Sequence, residues 1–471
     1  MDVDLVIKGG WIVSDRGQVR AGLAIKAGRI VAVADDDLLP AAATVVDASG
    51  LHVLPGVIDA HVHFREPGME HKETWSTGSR AAAVGGVTTV FDMPNTYPPV
   101  DTVAHFKLKQ AQAASQSLVD YGIYGLLGEH NVDQLTSLAE AGVIGYKLFL
   151  GNTTGNLPCP SDGAVREGFE ILAELGLRCS IHAENSPMLF WRERRLQAAG
   201  RNDARAHLEA RDDLVAVEAL NRACTIAEWT GARIHIVHES TSASLPYIAF
   251  FKGRGVDMTV ETLPQYLLLS MDDVERPGGA ALRMNPPIRD AHHQAPLWQA
   301  VTSGLIDMIA TDHAPHGPGE KDGERIWDIA CGLLGVETSL PLMLTEVNAG
   351  RLSLEDYVRL SAVGPARAFG LYGQKGVLQV GADGDIVLVD LERHATLRAD
   401  KQHSKDRAFP YDGRAVQGVP VMTFVRGRLV AKDGEPVEAA AGWGRMVRPQ
   451  MPTPAPANVE RSLKALTGRR R

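Results

Sequence analysis

The chain has 471 residues, of which 45% are hydrophobic, enough to bury a large core and too many for one small domain. A formal charge of −9 disfavours a nucleic-acid partner, whose phosphates reward a basic surface. Four scattered cysteines, Cys159, Cys179, Cys224 and Cys331, show no paired spacing, which excludes a disulfide framework or a cysteine metal site and fits a reducing compartment. The first residues are acidic, without a signal-peptide core, and no run approaches the ~18 apolar residues of a membrane span. The expectation is a cytoplasmic protein with neither a membrane nor a nucleic-acid partner.

Residues 1–55 read as short strands and turns: Leu5-Val-Ile-Lys-Gly-Gly-Trp-Ile-Val and Leu23-Ala-Ile-Lys-Ala-Gly-Arg-Ile-Val-Ala-Val share one plan. Residues 373–440 look alike, with Asp385-Ile-Val-Leu-Val-Asp and Val421-Met-Thr-Phe-Val-Arg-Gly-Arg-Leu-Val. Neither end suffices for a sheet domain alone, so the two are expected to pair into one small β-sandwich. Between them, residues 56–372 alternate strand-like and helix-like stretches. Eight strand candidates are 56–63, 87–93, 121–127, 145–150, 178–184, 233–239, 257–263 and 306–312, with helical stretches such as 72–83 and 213–229 between them. Eight βα units predict an α/β fold, a (β/α)₈ TIM-type barrel, with its chemistry at the C-terminal strand ends. Residues 441–471 form a proline-rich, basic segment expected to be a mobile tail.

Polar residues gather at those strand ends. The first strand ends in Asp59-Ala-His61-Val-His63, and residues two apart in a strand share a face, so both imidazoles point together as a chelating pair. The fifth ends at His182-Ala-Glu184, the sixth at His238 and the eighth at Asp312. The fourth carries Lys147 inside an apolar run, where an ammonium must be neutral, paired or modified. Any one of these could be a satisfied polar residue, but five strand ends converging on one barrel face point to metal. His235, three residues before His238, falls on the opposite pleat face and reads as structural.

Together the motifs Pro55-Gly-Val-Ile-Asp-Ala-His-Val-His, Ala81-Ala-Ala-Val-Gly-Gly-Val-Thr-Thr, Gly145-Tyr-Lys-Leu-Phe, His182-Ala-Glu, Asn285-Pro-Pro-Ile-Arg and Ala310-Thr-Asp-His-Ala-Pro-His resemble those of the cyclic amidohydrolases. That group includes dihydroorotase, allantoinase, hydantoinase and dihydropyrimidinase. The resemblance implies two zinc ions, one held by His61, His63 and Asp312, the other by His182 and His238, bridged by a carbamylated Lys147. Asp312 would also move the catalytic proton. Within the group, His63-Phe-Arg65-Glu-Pro-Gly68 and Asp92-Met-Pro-Asn95-Thr96 look most like dihydroorotase, an enzyme of pyrimidine biosynthesis that reversibly opens dihydroorotate to N-carbamoyl-aspartate. Arg65, Asn95 and His316 would then grip the ring carboxylate, and Asn285 would face the substrate. Allantoinase, or a hydantoinase or dihydropyrimidinase, is the alternative reading, and a metal-free scaffold relative the remote one. One departure is Gln265, where relatives commonly carry His. The partner expected is a small cyclic amide, and the assembly expected is a homo-oligomer, a dimer or tetramer.

Overall fold

The computed structural model describes residues 2–155, 157–406 and 409–450. All eight central strand candidates form, shorter by one to several residues than the sequence pattern suggests. They are Val57–Val62, Val87–Asp92, Asp120–Ile123 continuing as Gly125–Leu126, Tyr146–Phe149, Arg178–His182, Arg233–Ile236, Met258–Thr262 and Met308–Ile309. Each pairs in parallel with the next. The third strand is interrupted at Tyr124, where the Tyr124 N–H donates to Asp92 O and the Gly125 N–H to Gly145 O, linking the pairing on its two sides. A parallel bridge between Val62 and His313 brings the eighth unit back to the first and closes the ring. Every residue of Val57–Val62, Val87–Asp92 and Arg178–His182 is buried, as expected of parallel strands covered on both faces.

Helices cover the outside of this ring, and their local signals are plain. In Asp213–Thr230, Asp212 caps the first turn by accepting from the Val215 N–H, and Gly231 ends the helix in the left-handed region at φ 77°. Val215, Ala216, Ala219, Leu220, Ala223, Cys224 and Ala227 form its buried stripe at helical spacing. Among the described residues, no helix is long and apolar enough to cross a membrane.

Both chain ends contribute to two further sheets. One, of four strands, contains Val3–Lys8, Gly22–Lys26, Arg29–Ala34 and Ala42–Asp47. In the other, of seven strands, His52–Pro55 lies antiparallel to Ile386–Thr396. Leu5, Ile7, Leu23 and Ile25 of the first share one core with Ile12, Val53, Ile386, Leu388 and Phe424 of the second.

A buried ionic cluster ties these sheets to the ring. Lys375 pairs with Asp120 at the start of the third ring strand and with Asp383 and Asp385, which precede Ile386–Thr396. Arg426 also pairs with Asp120. The three carboxylates are close enough together to hold a cation, but the Lys375 ammonium already fills that role. Lys375→Met would leave them facing one another, and breaking a buried pair typically costs about 3–5 kcal/mol. A clear drop in melting temperature, with the far-ultraviolet circular dichroism unchanged at low temperature, is the expected result.

The start of the basic C-terminal segment is not free. The Tyr121 N–H donates to Arg445 O, the Val447 N–H to Tyr121 O, and the Gln450 N–H to Gly370 O. Trp443 lies against the guanidinium groups of Arg426, Arg428 and Arg445. Its composition suggested mobility, but residues 441–450 pack a half-buried aromatic ring, Trp443, and satisfy backbone groups at the third strand. The remaining tail, 451–471, lies outside the described residues.

Candidate metal centre

The ends of the ring strands carry the site. His61 lies on the first strand and His63 just past it, and both present Nε2 to Asp312 Oδ1, at 3.2 and 3.0 Å. These three groups lie close enough to hold one ion. His182 and His238 form a second group, with Nδ1 of one 2.9 Å from Nε2 of the other. The rings of His61 and His238 are 5.4 Å apart, so the groups adjoin. Lys147 is buried beside both, and its charge acts on all four imidazoles. All six residues expected as ligands are thus brought to one place.

Three of the four histidines are oriented through their other nitrogen. His61 Nδ1 lies 2.6 Å from Glu261 Oε1, His63 Nδ1 2.9 Å from Asn95 Oδ1, and His182 Nε2 2.8 Å from Glu184 Oε2. An imidazole that donates one N–H has its other nitrogen free as a lone-pair donor. The free atoms are the ones that face inward. Arg211 pairs with Glu184 and also donates to Asn152 O at 2.8 Å, joining His182 to the stretch that follows Lys147.

Electrostatics fit a cation. Burial pushes His61 and His238 well below the usual imidazole range and lowers His63 and His182, so all four are neutral and able to ligate. Burial brings Lys147 down to about 8 and drives Glu261 up to about 8. Burial also works to raise Glu184, but Arg211 and His182 hold it down to about 2. Neutral imidazoles beside the Asp312 carboxylate are a donor set for a divalent ion.

Two backbone features depart from the strand picture. His238 has φ 42° and Asp312 φ 46°, both in the left-handed region and beyond the last paired residues of their strands. Pleat alternation therefore fails at His238, and His235 does not point away. His235 is buried between Thr259 Oγ1 and Glu261 Oε2, each at 2.9 Å. It touches the partner of His61, so the structural label understates its place.

The residues expected to grip substrate divide into two sets. Arg65, at φ 64° and buried, donates through Nε to Pro315 O at 3.1 Å, while Nη1 and Nη2 have no partner among the described residues. Asn285 Oδ1 is likewise unpartnered, and its side chain lines a cavity of about 440 Å³ with His316, Arg211 and Cys331. Asn95 is already engaged, holding His63 with one end and donating to Thr154 O at 2.9 Å with the other. His316 donates from Nε2 to Cys331 O at 2.8 Å, and Nδ1 faces Lys72 Nζ at 3.2 Å. Gln265 donates to Thr311 O at 2.9 Å, bracing the residue before Asp312. Glu261 and Glu184 were missed as site residues. Their signal was the one used for Lys147, a charge inside a buried strand or at its end.

The profile described as "Amidohydrolase family" matches residues 52–430, which span every group just described. The chain belongs to the amidohydrolase family. An allantoinase of Deinococcus radiodurans is 40% identical to it over 453 residues, covering 96% of this chain and 100% of that protein. A dihydroorotase of Halobacterium salinarum is also 40% identical, but over 402 residues, 84% of this chain and 90% of that protein. The solved structure of an L-hydantoinase (dihydropyrimidinase) from Arthrobacter aurescens superposes with a TM-score of 0.92 at 35% identity, covering 95% of this chain and 100% of that one. The resemblance to cyclic amidohydrolases therefore holds, and with it a metal-dependent enzyme on a TIM-type barrel with a separate domain. The leaning towards dihydroorotase is corrected in favour of the alternative, since the allantoinase and the L-hydantoinase match nearly the whole chain. Of the three side chains behind that leaning, Asn95 bonds His63 and Thr154 O, and His316 bonds Cys331 O.

Proposed function

We propose that the chain hydrolyses a ring amide in a small cyclic ureide of the allantoin or hydantoin class, using two divalent ions, zinc first among them. The observation that carries this reading is the meeting of His61, His63, Asp312, His182, His238 and Lys147 in one buried cluster. His61, His63 and Asp312 hold one ion, and His182 and His238 hold the other. An ammonium is the wrong charge between two cations. In this reading the neutral Lys147 amine would add CO₂, with an N–C bond formed at Nζ and a proton released, and the resulting carbamate would offer anionic oxygens to both ions.

Ions bound there acidify a water to near neutrality and polarise the ring carbonyl. Asp312, with Oδ1 against His61 and His63, uses its other oxygen to take the proton of the attacking water and return it to the leaving ring nitrogen. The cavity of about 440 Å³ accepts a small ring, and Asn285 faces it with an unpartnered oxygen. A second reading, dihydroorotate, is favoured by one observation, the two free terminal nitrogens of Arg65, which suit a carboxylate.

Allantoin, hydantoin and dihydroorotate assayed in parallel test both readings. Turnover of allantoin or hydantoin should be strongest, vanish after chelation and return with zinc. Zinc-loaded protein that opens none of the three rings defeats the proposal.

A further inference from the structure

Glu261 lies on the seventh ring strand, Met258–Thr262, and is fully buried. Its carboxylate accepts from three N–H groups. Oε1 lies 2.6 Å from His61 Nδ1 and 3.0 Å from the backbone nitrogen of His238, and Oε2 lies 2.9 Å from His235 Nε2. His235 is held from its far side by Thr259 Oγ1 at 2.9 Å. His61 belongs to the first donor group and His238 to the second. Among the described residues, the other orienting groups each reach one side only: Asn95 holds His63, and Glu184 holds His182.

Two consequences follow from hydrogen-bond chemistry. A donated Nδ1–H leaves the His61 Nε2 lone pair turned towards Asp312. The bond to the His238 backbone fixes a residue at φ 42°, a conformation that non-glycine residues keep only when their surroundings hold it. One carboxylate thus sets the ring direction of one candidate ligand and the backbone position of another.

We infer that Glu261 is the positioning residue that fixes the spacing between the two candidate ion positions, with His235 as its brace. The inference rests on the ligand assignment proposed above.

Glu261→Gln keeps the volume but replaces one accepting oxygen with an amide donor and removes the charge that draws the His61 Nδ1–H, so the three anchors weaken even where His235 changes tautomer to accept. The test is titration of the metal-free full chain with zinc alone, in competition with a chromophoric chelator. Affinity at both positions is expected to fall about 10- to 100-fold, the usual effect of losing an orienting partner. Turnover should fall with KM little changed, and the metal-free variant should melt close to the metal-free parent. His235→Gln removes the brace but leaves the bonds to His61 and His238, so its loss should have the same sign and be smaller. Two zinc ions held by Glu261→Gln at parental affinity overturn the inference. If that variant does not fold, parental affinity in His235→Gln overturns it instead. A parent that takes up no zinc overturns the ligand assignment as well, which separates the two failures.

Discussion

Replacing Lys147 with alanine is expected to strip the protein of its divalent ions and lower kcat/KM at least about 10³-fold, equivalent to about 4 kcal/mol of barrier. Lys147 sits in the fourth ring strand, Tyr146–Phe149, every residue of which is buried. Among the described residues no carboxylate lies within ion-pair distance of its nitrogen, and burial already holds its pKa down to about 8. A structural lysine in such a place would be expected to have found a carboxylate, as Lys375 and Lys109 have. An unpaired ammonium beside four neutral imidazoles is a cost without a visible return, unless the nitrogen is modified and used. Alanine loses the packing of the alkyl stem, so Lys147→Met, which keeps most of that volume, separates folding from chemistry. Both variants should lack zinc by elemental analysis while retaining the cooperative melting of the metal-free parent. Either one keeping both ions and parental turnover would remove the bridging role.

Much of this site could be read from spacing because strand geometry is rigid. His61 and His63 share a face through a period of two, and Lys147 betrays itself as a charge in an apolar run. The eight strands were legible for the same reason, since parallel strands covered on both sides are almost continuously apolar. Spacing fails where the chain leaves the sheet. His238 and Asp312 take positive φ beyond their strands, so alternation no longer says where a side chain points, and His235 was misplaced by that rule. Roles that depend on partners distant in sequence were also hidden. That Asn95 also orients His63 shows only when Thr154 and His63 are seen at its two ends. Glu261 reaches His61 across 200 positions of sequence, a contact that no local pattern encodes. Residues 441–450 were misjudged because composition reports charge and proline content but not the backbone pairing that Tyr121 provides.

Arg65→Met is expected to split the candidate substrates. Arg65 is buried at a left-handed turn two residues past His63, tethered by one bond to Pro315 O, with both terminal nitrogens unpartnered among the described residues. Burial lowers its pKa to about 10, which still leaves it charged at neutral pH. Charge-assisted hydrogen bonds to a carboxylate are worth about 1.5–3 kcal/mol each. Losing them should lower kcat/KM for dihydroorotate about 10²-fold, mainly by raising KM. Rings without a carboxylate, allantoin and hydantoin, should change only a few-fold. The melting temperature should hold or rise, because methionine fills the space without leaving a buried guanidinium half-satisfied. Equal losses on all three rings would make Arg65 a support for the His63 turn, and its free nitrogens would then say nothing about substrate. A selective loss on dihydroorotate would mean that this chain keeps a carboxylate grip within a scaffold whose nearly full-length matches include an allantoinase and a hydantoinase. Ring charge, more than ring size, would then decide what the site accepts.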